Sequence, residues 1–309
     1  MVKLSIGFPI YNGENYGEAA IESLLAQSYA DFELIIADNA STDGTEQMCR
    51  NYAAKDSRIK YFRHETNMGA AYNFNFTVER ASGEYFKWAA HDDVLSINYL
   101  ERCMNHLDRN PDVVLCHSGT EVIDASGTHI GYDDYPMRLD SEKTHVRFRD
   151  LSIIRHECFL VFGVIKREVL MRTRMIDTYE GSDRVLLCEL GLYGKFGEVA
   201  EYLFIRRRHE ESGCARPERE DRLAWYNPEG EGAGTMSYPN WSILKETLAA
   251  IVRTPIGLMA KTSCLVQILE LLVVRRKFLG NDLIEGLKWS LKRTRTGHRI
   301  FYFLKHKLK

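Results

Sequence analysis

The first 118 residues alternate short apolar runs with segments of helical periodicity, and that alternation admits few folds. Residues 4–8, 32–37, 59–62, 85–88 and 113–116 have the length and composition of strands, whereas 16–26, 45–55, 70–81 and 97–107 carry helical patterns. Strand and helix in strict succession specify a mixed, mostly parallel sheet flanked by helices, because parallel neighbours need a crossover long enough to be a helix. The fold class is therefore α/β. Ligands of such sheets bind beyond the carboxyl ends of the strands, so chemistry is expected there.

After residue 118 the pattern changes. Residues 121–124 and 128–130 flank a glycine-containing turn at 125–127, which reads as a hairpin, followed by a polar stretch read as a loop to Asp150. Helical character returns at 167–172 and 183–192, and 196–205 reads as another strand. Residues 206–238 are polar and rich in Gly, Glu and Arg, as in a flap over a site. From Trp241 onward the periodicity is helical, and no internal repeat is present.

Composition narrows the class further. A chain of 309 residues with 45% hydrophobic residues can bury one large core with an appendage. Its net charge of -2 hides an asymmetry: residues 275–309 hold eleven Lys or Arg against Asp282 and Glu285. Nucleic acid is not an expected partner, since the body is acidic and the aromatic residues form no reading module. Seven cysteines without a CxxC pair suit a reducing compartment and small core positions. The first residues lack the pattern of a secretory signal, and the apolar stretch 264–274 is too short to cross a bilayer, so a cytoplasmic location is expected.

Three loops carry the chemistry. The first apolar run leads into Phe8-Pro9-Ile10-Tyr11-Asn12-Gly13-Glu14, which contains neither GxGxxG nor GxxxxGK[ST]. Pro9 stiffens the exit, leaving Tyr11 to lie against a flat base and Asn12 or Glu14 to hydrogen-bond. The second run ends in Asp38-Asn39-Ala40-Ser41-Thr42-Asp43-Gly44-Thr45. Asp38 is suited to accept from a pyrimidine imide N–H, while Thr42 or Asp43 is suited to cap the next helix. The fourth run leads to His91-Asp92-Asp93, whose adjacent carboxylates repel one another unless a divalent cation neutralises them; surface capping is the other role open to such a pair. Mg²⁺ or Mn²⁺ takes carboxylate and phosphate oxygens together.

These segments, with Asn67-Met68-Gly69 and Ala81-Ser82-Gly83-Glu84-Tyr85 between them, resemble the successive motifs of family 2 glycosyltransferases with the GT-A nucleotide-sugar fold, in that family's order and spacing over roughly residues 1–215. The resemblance implies that Pro9, Tyr11, Asn12, Glu14, Asp38 and Ser41 line the nucleotide site, with Tyr11 and Asp38 on the base. It implies that Asp92 holds the ribose and shares the metal with Asp93, and that Asn67, Gly69 and Asn73 lie beside the donor. One departure is Ala90, where many relatives carry a further Asp.

A base must deprotonate the acceptor hydroxyl as it attacks the anomeric carbon opposite the leaving phosphate. In Glu180-Gly181-Ser182-Asp183-Arg184, the carboxylate of Asp183 resembles the family's base; capping of the following helix is the other role open to it. The segment Arg206-Arg207-Arg208-His209 resembles the family's basic stretch, with Arg206 and Arg208 over the diphosphate and His209 as an added metal ligand. The implied division is a catalytic domain over 1–215 (nucleotide half 1–118, acceptor half 119–215), a flap over 216–240, and a basic helical extension over 241–309.

The expected activity is inverting transfer of a sugar from a nucleotide diphosphate, UDP favoured, to a hydroxyl on a glycan or lipid-linked oligosaccharide. Apolar residues of the extension recur at helical spacing among basic ones, as in Leu283, Leu287 and Leu291. Such a tail suits a cap on the core, a homodimer contact or peripheral attachment to an anionic membrane. A nucleotidyltransferase would begin with a glycine-rich loop bearing Arg and Lys, which residues 8–14 lack. A non-catalytic sugar-nucleotide-binding protein of the same fold is disfavoured by the joint presence of Asp92, Asp93 and Asp183.

Overall fold

The computed structural model describes residues 2–210, 225, 226 and 238–293. Strands β1 (Leu4–Ile10), β2 (Phe32–Asp38), β3 (Ile59–Arg63) and β4 (Tyr85–Trp88) alternate with helices α1 (Gly17–Leu25), α2 (Thr45–Lys55) and α3 (Ala70–Arg80). Next come β5 (Val94–Leu95), α4 (Tyr99–Arg109), β6 (Val113–Ile123), β7 (His129–Asp133) and α5 (Thr144–Ile153). A 3₁₀ turn (Phe159–Phe162) leads to β8 (Val164–Lys166), α6 (Arg167–Leu170), α7 (Ser182–Tyr193) and β9 (Lys195–Arg207). Helices α8 (Pro239–Arg253) and α9 (Leu258–Arg293) close the described chain.

The strands form one sheet in the order β3-β2-β1-β4-β8-β6-β9-β5, with β7 added to β6. Strands β1 to β4 are mutually parallel; β8 enters antiparallel between β4 and β6, so β6 and its parallel partner β9 run with the first four. The sheet is mixed and mostly parallel, as expected.

Every residue of β1 and β2 is buried, because helices cover both faces. Alternation divides β2 between two cores: Leu34 and Ile36 pack with Ile21 and Leu24 of α1 and with α4, while Ile35 faces Val78 of α3. Burying each such side chain contributes roughly 1.5–3 kcal/mol. Six cysteines, Cys49, Cys103, Cys116, Cys158, Cys188 and Cys264, are free and buried in these cores, as the composition suggested.

Two expectations need correction. The stretch read as a loop to Asp150 contains α5, whose Phe148 and Leu151 are fully buried against α7; its polar residues hid the pattern because Arg147 and Asp150 are themselves buried. The N-cap of α2 is Gly44 rather than Thr42 or Asp43, although the Asp43 carboxylate still accepts from the Thr45 N–H at 3.0 Å.

The C-terminal helices share the core of the body. Ala250, Ile251, Cys264, Ile268 and Leu271 pack in the same cluster as α5 and α7, and Arg253 forms a bidentate pair with the buried Glu189 at 2.6 and 2.7 Å. Of the flap expected over 216–240, the described parts are Trp225, Tyr226 and residues 238–240, and Pro239 already opens α8. The Trp225 and Tyr226 rings meet edge-on at 4.8 Å, with Tyr226 against the core. The rest of that flap and residues 294–309 of the basic tail lie outside the described residues.

Candidate active site

Strands β1 and β2 end side by side, with Ile10 opposite Asp38, so their exit loops are neighbours. Side chains of each loop hold the backbone of the other. Asn12, at a φ of 49°, accepts the Thr42 N–H at 2.8 Å, while its own N–H donates to Ser41 Oγ at 3.0 Å. The Gly13 N–H donates to Thr45 Oγ1 at 2.8 Å, and Glu14 Oε2 accepts the Gly44 N–H at 2.6 Å. Asn12, Glu14 and Ser41 thus build a cradle, and Tyr11 stands on its rim, 39% exposed.

Asp38 is fully buried at the base of this cradle. It accepts the Ser41 N–H, the Tyr61 hydroxyl and Arg63 Nη1, each at 2.8 Å. A carboxylate offers about four lone-pair sites, so one remains for a further donor. Arg63 and Tyr61 went unnoticed in the sequence, yet Arg63 pairs directly with Asp38 in the sheet, and the two-residue period puts both side chains on one face of β3.

A second wall follows β3. Asn67 Oδ1 accepts from Asn39 Nδ2 at 2.8 Å and from the Gly69 N–H at 2.9 Å; Gly69, at a φ of 82°, starts α3. The buried Asn73 donates to the Ala37 carbonyl at 2.8 Å and faces His64 Nε2 at 3.0 Å, bracing the end of β2 from below.

The loop after β4 brings Asp92 and Asp93 beside the end of β9. Asp93 Oδ1 accepts the Arg207 N–H at 2.9 Å, and Asp92 Oδ2 lies 3.0 Å from His209 Nε2. Burial and the adjacent Asp92 anion push the Asp93 carboxyl well above its usual range. Burial would raise Asp92 too, but the contact with His209 holds it below. Among the described residues, no three His, Cys, Asp or Glu side chains converge as a metal-binding set. The pair fits a hard divalent cation that completes its shell with phosphate and water oxygens, and the repulsion expressed at Asp93 is what such an ion relieves.

Tyr16 links this pair to the cradle: its ring lies 4.9 Å from that of His209 and 4.8 Å from the Arg207 guanidinium. Beneath Asp93, burial drives the enclosed Lys87 ammonium down to about 7. The basic residues at the end of β9 differ in burial, and Arg208 lies just past the strand, which ends at Arg207. Arg206 is buried, stacked 4.2 Å over the Phe159 ring, whereas Arg208 is exposed and tied only through its N–H to the Ile123 carbonyl. Arg206 Nη1 and Asp133 Oδ2 stand 3.6 Å apart, and neither atom has a hydrogen-bond partner among the described residues.

Asp183 lies in the first turn of α7, where Gly181 takes a φ of 88° that a side chain would strain. Burial raises its carboxyl above the usual value, against the Arg184 N–H and charge and the Cys158 thiol, which stabilise the anion. Cys158 precedes Phe159, whose ring carries Arg206, so a short chain of contacts joins Asp183 to the Asp92–Asp93 end of the site. A cavity of ≈ 570 Å³ adjoins this chain, walled by Asp133, Tyr135, His156, Phe159 and Phe196.

The sequence pattern that defines glycosyl transferase family 2 matches residues 5–170, more than half of the chain. The chain belongs to glycosyl transferase family 2. Among its relatives, a glycosyltransferase of Rickettsia typhi, designated RT0329 and named as uncharacterized, is 35% identical over 165 residues, covering 52% of this chain and 50% of that protein. The putative glycosyltransferase EpsE of Bacillus subtilis is 36% identical over 126 residues, covering 40% of this chain and 45% of EpsE. The chain spans about half the length of such curated relatives, or less.

The fold is the GT-A fold of solved glycosyltransferase structures. S. aureus TarS 1-349 in complex with UDP-GlcNAc superposes with a TM-score of 0.64 at 16% identity, covering 93% of this chain and 81% of TarS 1-349. The mannosyltransferase PcManGT of Pyrobaculum calidifontis, in complex with GDP-Man and Mn²⁺, gives 0.53 at 16% identity, covering 97% and 83%.

Proposed function

We propose that this family 2 member is an inverting glycosyltransferase that moves a sugar from a nucleotide diphosphate, UDP favoured, to a hydroxyl on a glycan or lipid-linked oligosaccharide. The observation that carries the reading is the meeting of Asp92, Asp93, Arg207 and His209 beside a cradle built from the β1 and β2 loops. Tyr11 covers one face of the base, Pro9 stiffens the approach, and the remaining acceptor site of Asp38 takes the imide N–H. Asn67, Gly69 and Asn73 hold the second wall in place.

Asp93 and Asp92 would hold Mg²⁺ or Mn²⁺, with His209 turning from Asp92 to join them; the ion, when bound, neutralises the diphosphate and so stabilises the leaving group. That neighbours were solved with UDP-GlcNAc and with GDP-Man and Mn²⁺ supports this class of donor and ion. Arg206 and Arg208 add charge over the diphosphate. Asp183 takes the acceptor hydroxyl proton, and a carboxyl raised above its usual value by burial is a stronger base than an ordinary aspartate. Attack from the face opposite the leaving phosphate inverts the anomeric centre. The ≈ 570 Å³ cavity, with its aromatic and carboxylate walls, suits the acceptor sugar.

Release of nucleotide diphosphate from a panel of UDP-, GDP- and dTDP-sugars, with and without Mn²⁺ and with Asp183→Asn as control, tests the reading. Metal-dependent release that the variant loses is the expected outcome. Tight donor binding without turnover in the native chain would replace the enzyme with a sugar-nucleotide-binding protein.

A further inference from the structure

Helix α9 has two apolar faces, and only one meets the body. Cys264, Ile268, Leu271 and Leu279, at successive spacings of four, three and eight residues, are buried. On the opposite side Met259, Val266, Leu269, Val273, Ile284 and Leu287 are 53 to 85% exposed. Leu265 and Leu283 widen this second stripe at one border and Val274 at the other, all exposed. At 3.6 residues per turn the exposed apolar arc covers roughly 180° of the helix circumference. A helix that needs only to reach one core does not spend so many large apolar residues on water.

The width and charge of the arc decide what covers it. A partner helix uses a narrow seam, and a seam drawn through Val266, Leu269 and Val273 next meets Arg276, whose charge would be buried there, and Gly280, which offers no side chain to fill it. A flat apolar medium accepts the whole arc. The exposed charges of α9 at this face are Arg276, Lys277 and Lys288 against Glu285, and Glu285 pairs with Lys288 at 2.6 Å. Their aliphatic stems can lie along the apolar surface while the cations reach outward to lipid phosphates. Residues 295–309 add five Lys or Arg and no acid. No helix of the described residues is long and apolar enough to cross a membrane, so the contact is with its surface.

We propose that α9 is a membrane-docking element that lays its outer face on an anionic lipid surface, holding the catalytic body beside it. The inference stands on α9 alone and is independent of the donor or acceptor.

Flotation of the full-length protein with vesicles of phosphatidylglycerol and phosphatidylcholine in equal amounts, and with phosphatidylcholine alone, tests it. The native chain should float with the anionic vesicles and be released by salt. The triple variant Val266→Asp, Leu269→Asp and Val273→Asp, altered only at exposed positions, should bind about tenfold less or worse while keeping its melting temperature. A second variant, Arg276→Glu with Lys277→Glu, should weaken binding to the anionic vesicles and leave the apolar stripe intact. Failure of the native chain to float would overturn the proposal, as would undiminished flotation of the triple variant. A triple variant that dissociates from dimer to monomer with unchanged flotation would assign the face to a second copy of the chain. UDP binding by calorimetry on the same samples reads the donor site separately.

Discussion

The backbone N–H of Arg207 donates to Oδ1 of Asp93 across 114 residues of sequence, so the end of β9 fixes the aspartate that closes the β4 loop. The carboxylate is held by a neutral donor and crowded by a like charge, a poor arrangement for an anion and a ready one for a ligand of a cation.

Asp93→Asn keeps an oxygen for the Arg207 N–H and removes the repulsion with Asp92. Its stability should be unchanged or higher by about 1 kcal/mol. Metal-dependent release of nucleotide diphosphate should nevertheless fall by on the order of 10³-fold. Paired denaturation curves and turnover assays check both, and a variant with near-native turnover would remove Asp93 from the metal site.

Asp183→Asn should lower kcat by about 10²–10⁴-fold, the usual weight of a positioned base, while the affinity for UDP stays within a factor of about two. Calorimetry with UDP and single-turnover transfer separate the two. Loss of UDP binding alongside kcat would mean that Asp183 supports the fold of the site rather than acting on the acceptor.

Arg63→Met leaves the buried Asp38 carboxylate with the Tyr61 hydroxyl and the Ser41 N–H but without its cation. The variant should lose about 2–3 kcal/mol of stability and bind UDP more weakly, because the cradle rests on that carboxylate. Thermal melts with and without UDP measure both effects. Full native stability would show that the pair contributes nothing to the base of the cradle.

Acid should unfold the protein partly through Glu33. Burial would raise this carboxyl, but Lys60, Ser5 and Ser82 hold it down at about 2 against an ordinary 4.5. A group with a depressed folded value contributes stability above its unfolded value and loses it as pH falls toward the folded one. The window is therefore about pH 4.5 to 2, with about 3 kcal/mol at stake. Urea midpoints followed from pH 6 to 3 should drop less steeply in Glu33→Gln than in the native chain, and parallel curves would contradict the assignment.

The strand and helix succession of the first 118 residues was legible because β1, β2 and β4 are buried along their whole length and the helices between them present an apolar side to the sheet, and β4 and α2 match the expected bounds. Helix α5 was hidden by Arg147 and Asp150, polar residues buried through hydrogen bonds to the Gly191 carbonyl and from Arg138. Asp38, Asp92 and Asp93 stood out because acidic residues end apolar runs. Arg207 did not, since its importance lies in a backbone N–H that every residue has. Tyr16, Phe159 and Asp133 came to the site by tertiary contact alone, with no local signal.

The mutual stitching of residues 12–14 to residues 41–45 makes these two loops a single structural unit. If the cradle is the nucleotide site, as proposed above, a change of nucleotide preference introduced into one loop alone would leave the other shaped for a partner it no longer has. Attempts to graft the donor specificity of another family member onto this scaffold will therefore have to transplant both loops together.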